Sequence, residues 1–438
     1  MSKSNFQLSA EQMKKYLGPA LCLAKWKQVS LHLTTGLNNS CYHPPLHPID
    51  PAAIATNPAA LHNTEHKKAQ RKIMLQQERP GECSYCWNME DLGKLSDRHY
   101  RSGEPWAAVD FEKIKNSTGD EEDVIPSYVE VNFNNACNLK CSYCSPQFSS
   151  SWQQEVDRHG AFPTLVPHNA AEHFSGSRRP IPARDHNPYV EAFWAWWPAL
   201  YPELKHFRMT GGEPLMHNEH YVILKYLDDN KMHDKSIIYS TNMTTLKWKS
   251  IDFLEIWKNF NNIQFICSID GYQEGLEYIR NKSKNDVIFG NLRKLIDFKK
   301  ANLDKNFSIS ICYTHSIYNA YYTREFFEYL DSLGLIDSVN VMLNYSFGDI
   351  NSPSILPDFA KEELKQKRID DLKSPIMQKV FAKDPSIRND FNMIHEILTH
   401  TPEFVFDDFM RHANRDPGKP LETSLPWLAS VFERYNNQ

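Results

Sequence analysis

The sequence lacks the features of membrane, secreted and nucleic-acid-binding proteins. No apolar run approaches the roughly 20 residues that a membrane-spanning helix needs. The first fifteen residues are too polar for a secretory signal. The 49 lysine and arginine residues are fewer than the 54 aspartate and glutamate residues. The chain therefore has no excess of positive charge that would favour binding to nucleic acid or to an anionic membrane. We therefore expect a cytoplasmic protein, in which spaced cysteines more often bind metals or do chemistry than form disulfides.

Two further absences narrow the search for a site. The 18 histidines show no HExxH or other metal-ligand spacing, and no cysteine follows Cys312. What is present is ordinary globular composition, with 41% hydrophobic and 24% charged residues in 438 positions. This length is sufficient for two or three domains with substantial cores. The nine cysteines, and above all their clustering, are the informative feature.

The pattern along the chain divides it into four segments. Residues 1–100 hold four cysteines, and residues 101–127 form an acidic linker. Residues 128–345 alternate strand-like and helix-like stretches, with a long inserted loop at about 160–190. Residues 346–438 form a mostly helical C-terminal extension. The strand candidates are 128–134, 204–210, 235–242, 263–270, 307–314 and 338–344. Six such units predict an α/β fold with parallel strands, as a partial (β/α)6 barrel.

The first predicted strand leads into a loop with three cysteines. CNLKCSYC supplies Cys137, Cys141 and Cys144 three residues after the strand ends. In β/α barrels the chemistry is carried by the loops at these strand ends. Three thiolates can hold three irons of a [4Fe–4S] cluster and leave the fourth open, as catalytic metal sites do. The alternatives are a zinc site with a distant fourth ligand, or a chance cluster of buried thiols.

This loop resembles the cluster loop of radical S-adenosylmethionine (SAM) enzymes, CxxxCx(aromatic)C, with Tyr143 in the aromatic slot, and the resemblance implies that Tyr143 is a cofactor-binding residue. About seventy residues later, FRMTGGEPL resembles the family's GGE motif. The resemblance implies that Gly211, Gly212 and Glu213 bind the methionyl amino group of SAM. Glycine allows the close approach of a ligand, and a carboxylate is a natural partner for an ammonium group. The combination of both motifs is far more specific than either alone.

Weaker matches to the family extend the predicted SAM site. The resemblance implies contacts with the ribose or the methionine carboxylate for Ser240, Asn242, Ser268, Asp270 and Arg280. The alternative for each is a polar barrel residue whose hydrogen bonds are satisfied by neighbours. The family also implies an activity: a reduced cluster cleaves SAM, and the 5′-deoxyadenosyl radical abstracts hydrogen from a substrate. A reductant such as flavodoxin or ferredoxin is implied as a partner.

A second set of cysteines precedes the predicted barrel. Cys22 and Cys41 flank a predicted hairpin that turns at Gly36, and Cys83 and Cys86 follow at CxxC spacing. The pattern resembles the SPASM/twitch module of radical SAM enzymes, which carries auxiliary [4Fe–4S] clusters. That module usually follows the barrel, whereas these cysteines precede it. The resemblance implies a second [4Fe–4S] cluster, and a structural zinc site is the alternative.

The substrate is less well defined than the cofactors. The SPASM/twitch resemblance favours a peptide or protein side chain. A small metabolite or nucleotide is the alternative, which a closed, charged barrel mouth would favour. A metal-stabilised binding protein without catalysis is a third reading, which the intact GGE motif and cysteine loop oppose. Cys312 is a candidate hydrogen-atom or proton donor, but a buried inert thiol is the favoured interpretation of this residue.

Overall fold

A computed structural model describes residues 8–121, 123–160, 164–165, 179–182, 185–346, 350–402, 404–413 and 420–437. The described residues form a mixed α/β protein with a large, mostly parallel sheet. Most of the predicted inserted loop at 160–190 lies outside the described residues. Within the described part of the chain, no helix is both long and apolar enough to cross a membrane.

The strands follow the alternation of apolar and polar residues in the sequence. Their bounds are β1 Gln28–His32, β2 Leu37–Asn39, β3 His47–Pro48, β4 Tyr128–Asn132, β5 Lys140–Cys141, β6 His206–Thr210, β7 Ser236–Thr241, β8 Lys247–Trp248, β9 Ile251–Asp252, β10 Asn262–Ser268, β11 Arg280–Asn281, β12 Asn306–His315 and β13 Asn340–Tyr345. All six predicted strands are present, as β4, β6, β7, β10, β12 and β13. In β10, Ile263, Phe265 and Cys267 are buried while their neighbours are half-buried, which is the period of two expected of a strand.

The helices lie between and after these strands. Their bounds are α1 Ala10–Tyr16, α2 Ala24–Lys27, α3 Pro51–Thr56, α4 Glu65–Leu75, α5 Ser84–Asp91, α6 Asp97–Gly103, α7 Pro105–Ala108, α8 Phe111–Lys115, α9 Ser150–His159, α10 Pro188–Leu200, α11 Asn218–Asp229, α12 Phe253–Trp257, α13 Gln273–Ile279, α14 Asn285–Ala301, α15 Thr323–Ser332, α16 Asp358–Asp371, α17 Pro375–Lys383, α18 Ser386–Asn392, α19 Ile394–Ile397, α20 Phe406–Ala413, α21 Leu421–Ser424 and α22 Pro426–Asn436. The C-terminal extension is mostly helical, as predicted.

The chain forms two compact units. The first comprises Met1–Asn135, Gly176–Gly211 and Asp234–Ile238. Its sheet has the order β3-β2-β1-β4-β6, with β1 and β2 antiparallel and β1, β4 and β6 parallel. Helix α10 packs on this sheet through its aromatic residues, since the Trp197 ring lies 5.7 Å from that of Phe207.

The first unit contains two features that the sequence did not indicate. Strand β1 pairs in parallel with β4 from Gln28↔Tyr128 to His32↔Asn132, so the cysteine-rich segment extends the parallel sheet. The stretch predicted as a linker, 101–127, carries helices α7 and α8 and the end of α6. Its apolar residues, such as Trp106, are buried and anchor it to the unit.

The predicted hairpin between Cys22 and Cys41 is the β1–β2 pair. Its turn contains Gly36 with φ +67°, a left-handed conformation that favours glycine. A Cβ atom at Gly36 would lie 2.1 Å from the Tyr189 ring, so any other residue would have to displace that ring. Both the backbone conformation and this close approach therefore favour glycine at the turn.

The second unit comprises Ala136–Ser175, Gly212–His233 and Tyr239–Gln438. Its strands β10, β12 and β13 are parallel. The C-terminal helices share one apolar cluster with residues of the preceding strand–helix region, such as Ile317 and Tyr318. Within it the Phe409 ring lies 5.8 Å from that of Phe432. The cysteine loop and most of the predicted SAM-binding residues belong to this unit. Closure of the strands into a six-unit barrel stays a prediction.

Candidate active site

The cysteine loop is held by backbone pairing and by the start of helix α9. Strand β5 pairs antiparallel with β11, which places Cys141 opposite Arg280. The indole Nε1 of Trp152, on α9, donates to the carbonyl of Cys141 at 2.8 Å. The hydroxyl of Ser151 donates to the carbonyl of Cys137 at 3.0 Å, and the amide of Cys144 donates to the carbonyl of Cys141 at 2.9 Å. The positions of the three cysteines are therefore fixed by hydrogen bonds along the loop backbone.

Two of the three sulfur atoms accept hydrogen bonds from side chains. Arg280 Nη1 lies 3.7 Å from Cys141 Sγ, and Asn242 Nδ2 lies 3.8 Å from Cys137 Sγ. Burial raises the pKa of Cys137 to about 12 and also raises the pKa of Cys141, which the Arg280 charge opposes. Buried thiols with donors aimed at their sulfurs suit the bound, thiolate form, because metal ligation deprotonates cysteine. The donor set therefore fits an iron–sulfur cluster held by three thiolates.

Tyr143, Asp270 and Arg280 form one buried network next to the loop. Arg280 Nε lies 2.7 Å from Asp270 Oδ2, and Arg280 Nη2 donates to the Tyr143 hydroxyl at 2.5 Å. The Tyr143 hydroxyl in turn donates to the Asp270 carboxylate. The other carboxylate oxygen of Asp270 accepts from the amide of Thr314 at 2.8 Å. Three residues predicted as separate SAM contacts are thus bonded to each other, and they connect the loop to strands β10 and β12.

The predicted GGE motif lies at the end of strand β6. Gly211 has φ +119°, and a Cβ atom there would lie 2.5 Å from Asn132 Oδ1, so only glycine fits. Glu213 is 1% exposed, and its carboxylate accepts from the Thr241 hydroxyl at 2.8 Å and the Asn242 amide at 2.6 Å. Burial raises the pKa of Glu213 to about 7, although these donors oppose the shift. Asn242 therefore joins the Glu213 carboxylate to the sulfur of Cys137, and these three residues form a second connected group.

The remaining predicted residues lie on neighbouring strands of the second unit or at its edge. Gly212 is half-buried between β6 and Glu213. Ser240 is half-buried on β7, two residues before Asn242. Ser268 pairs in register with Cys312, whose sulfur accepts from Asn344 Nδ2 at 3.0 Å. Roles in SAM binding or hydrogen transfer stay predictions for these four positions.

The four N-terminal cysteines line one cavity within the first unit. Burial raises the pKa of Cys41 to about 11 and those of Cys83 and Cys86 to about 12. Among the described residues, no three His, Cys, Asp or Glu side chains converge closely enough to hold a single metal ion. Four thiols around one cavity are the donor set of a fully ligated [4Fe–4S] cluster, so the residues fit that group.

Charged residues that the sequence did not single out also line this cavity. Lys25, Asp97, Arg98 and Arg101 are among its lining residues. Glu82, next to Cys83, pairs with Lys25. The only signal in the sequence is proximity: Lys25 follows Cys22 by three positions, and Glu82 precedes Cys83. Charged residues near a cysteine are common on surfaces, so their burial could not be predicted.

The central part of the chain is similar to a known protein family. Residues 131–309 match the family model described as the Radical SAM superfamily. The chain is therefore similar to that superfamily over a segment that covers less than half of its length. The matched region includes the cysteine loop, the GGE motif, Asp270 and Arg280. No curated protein sequence matches the chain.

Several solved structures are similar to part of the chain. Native anSMEcpe with bound AdoMet and Cp18Cys peptide is 20% identical, over 32% of this chain and 38% of that chain, with a TM-score of 0.24. Native anSMEcpe with bound AdoMet is 17% identical, over 48% and 49%, with a TM-score of 0.30. Streptococcus suis SuiB bound to S-adenosylmethionine is 13% identical, over 75% and 73%, with a TM-score of 0.26. The chain thus spans less than half the length of the two anSMEcpe structures, and at these TM-scores the domain assignment depends on the family match.

Proposed function

We propose that the protein is a radical SAM enzyme that cleaves SAM reductively at a [4Fe–4S] cluster on Cys137, Cys141 and Cys144. The observation that carries the proposal is the fixed three-cysteine loop, in which Arg280 and Asn242 donate to two of the sulfurs. The test is to reduce the anaerobically reconstituted chain with dithionite in the presence of SAM. We expect 5′-deoxyadenosine and methionine to form. Their absence from a chain that holds its iron would contradict the proposal.

When bound, the cluster and SAM together supply one-electron cleavage of the carbon–sulfur bond and a 5′-deoxyadenosyl radical for hydrogen abstraction. The protein's part is to hold and orient the reactants. Arg280 places a positive charge beside the Cys141 sulfur, which favours the thiolate. Asn242 connects the Cys137 sulfur to the Glu213 carboxylate, so the cysteine loop and the GGE motif keep a defined relation.

The raised pKa of Glu213 predicts a pH dependence of SAM binding. An ammonium group favours the ionised carboxylate, whereas below pH 7 Glu213 is mostly protonated. Binding must then release a proton, so the affinity falls as the pH falls through about 7. We expect SAM to bind about tenfold more tightly at pH 7.5 than at pH 6 through this group. Isothermal titration of the reconstituted protein at both pH values measures the ratio.

The matched control for this prediction is Glu213→Gln. The amide has no charge to gain, so the part of the pH dependence that is due to Glu213 disappears. Any titration of SAM itself remains in both proteins and is removed by comparing them. Equal pH dependence in the wild type and the variant would show that Glu213 does not face the ammonium group.

We further propose that Cys22, Cys41, Cys83 and Cys86 hold an auxiliary [4Fe–4S] cluster, as in SPASM/twitch modules. Their shared cavity supports this assignment. A fully ligated cluster suits electron transfer to or from a substrate-derived radical rather than substrate binding. The module resemblance also supports a peptide or protein side chain as the substrate, with a flavodoxin or ferredoxin as the electron donor.

Iron analysis of Cys83→Ala tests the auxiliary cluster. The wild type is expected to hold about eight irons and eight sulfides per chain, and the variant about four of each. Cleavage of SAM should persist in the variant, while formation of product from a substrate should fall. About four irons with one zinc in the wild type would instead identify the N-terminal site as structural zinc.

A further inference from the structure

A buried lysine lies beside the four N-terminal thiols. Lys25 is 2% exposed on helix α2 and lines the same cavity as the cysteines. Its ammonium group pairs with the carboxylate of Glu82, and the other oxygen of Glu82 lies 2.6 Å from His66 Nε2. Burying an ammonium group is costly unless it is paired, and the Glu82 carboxylate supplies that partner. The pair therefore keeps a charge buried beside the thiols, where it can act on a group that they bind.

The other cations around the cavity are compensated differently. Arg98 forms two hydrogen bonds with Glu90, at 2.9 and 2.6 Å, and donates to the carbonyl of Leu21 at 2.8 Å. Its guanidinium is thus paired with a carboxylate. Arg101 lies over the Tyr42 ring, with its guanidinium carbon 5.0 Å from the ring centre. Lys25, in contrast, is held by Glu82, the residue directly before Cys83.

The geometry places this charged pair next to the thiols. Lys25 and all four cysteines line one cavity, and its partner Glu82 directly precedes Cys83 in the chain. A buried charge is screened by solvent and salt much less than a surface charge, so it can act on a group bound by these sulfurs.

We propose that Lys25 raises the reduction potential of the cluster held by the four N-terminal thiols, and that Glu82 both anchors the ammonium group and moderates its effect. Reduction adds one electron, from a flavodoxin- or ferredoxin-class donor, and makes the cluster more negative. A positive charge beside the ligands stabilises that reduced form, and net charge is one of the factors that set such potentials. This inference rests on the proposed auxiliary cluster.

Substitutions of Lys25 and of Glu82 should shift the reduction potential in opposite directions. Lys25→Met removes the positive charge, so the reduction potential of the cluster should fall by ~59 mV. This shift corresponds to an about tenfold fall in the ratio of reduced to oxidised cluster at a fixed potential. Glu82→Gln removes the moderating negative charge, so the potential should rise. Lys25→Arg keeps the charge and should restore most of the wild-type value. Lys27→Met is the matched control: Lys27 is on the same helix but pairs with Asp110 at 2.8 Å, and we expect no shift.

The measurement is a redox titration followed by electron paramagnetic resonance, on full-length chains that also carry Cys141→Ala. This background removes the cluster of the barrel loop, so only the N-terminal cluster titrates. Iron and sulfide are measured on each sample. A fall for Lys25→Met and a rise for Glu82→Gln support the inference.

The outcomes separate the inference from the proposed function. About four irons with unshifted potentials, or shifts of the same sign in both variants, would overturn the role of Lys25 alone. Absence of iron from the Cys141→Ala chain itself would overturn the auxiliary cluster and the inference with it. If Lys25→Met fails to hold iron, the reduction potential of the Glu82→Gln variant decides. A rise in that potential supports the inference, and no rise overturns it. Loss of iron from both variants would show that the pair is structural, which also overturns it.

Discussion

Cys141→Ala is expected to abolish the reductive cleavage of SAM. Cys141 is the middle of the three loop cysteines, and its backbone is fixed by pairing with Arg280 and by Trp152. The alanine variant leaves two thiolates for a cluster that needs three, and it removes the sulfur that accepts from Arg280. We expect the iron of this site, about four atoms per chain, to be lost and 5′-deoxyadenosine formation to fall to background. Product quantification under dithionite, together with iron analysis, measures both.

Cys267→Ala is the matched control for this prediction. Cys267 is fully buried on β10, on the apolar face, and is a small hydrophobic residue of the core. Its replacement should cost about 1 kcal/mol of stability and leave iron content and SAM cleavage unchanged. If Cys141→Ala kept its cleavage activity while Cys267→Ala lost it, the assignment of the cluster to this loop would be wrong.

The sequence predicts the central strands because their periodicity is local. In β10 and β4 every second residue is apolar, and that pattern fixes the two faces of a strand without knowledge of its neighbours. The cysteine loop and the GGE motif are also local, since each is a run of a few residues at the end of a strand. The family match over 131–309 includes both motifs.

The features that were not predicted depend on contacts between distant residues. Pairing of β1 with β4 joins residues one hundred positions apart, and the alternation in β1 does not specify its partner. Helices α7 and α8 are too short for a clear period, and the acidic residues after them favoured a linker. Lys25 meets Glu82 only after folding, so neither residue suggested a role by its position in the sequence.

The Arg280 network within the site could not be predicted from the sequence for the same reason. Family resemblance suggested Tyr143, Asp270 and Arg280 one by one, each as a contact with SAM. It did not indicate that they bond to each other, because residues 143 and 270 are brought together only by the fold. Their mutual bonds predict a role in stability as well as in binding.

Asp270→Ala is expected to be strongly destabilising. Asp270 is fully buried and Arg280 is 5% exposed, so the substitution leaves a buried guanidinium without its carboxylate. It also leaves the amide of Thr314 without its acceptor. Removing one partner of a buried ion pair costs about 3–5 kcal/mol. Denaturant unfolding of the wild type and the variant, both without iron, measures the difference in the free energy of unfolding.

The double variant Asp270→Ala/Arg280→Met distinguishes the ion pair from simple loss of packing. Once both charges are absent, no uncompensated charge is buried, so the double variant should be less destabilised than the sum of the two single variants. Lys225→Met, which breaks the exposed pair with Asp229, is the surface control and should leave the unfolding midpoint unchanged. Additive effects of the two buried substitutions would mean that Asp270 and Arg280 stabilise the second unit independently. The cysteine loop would then owe its position to its backbone hydrogen bonds and not to this pair.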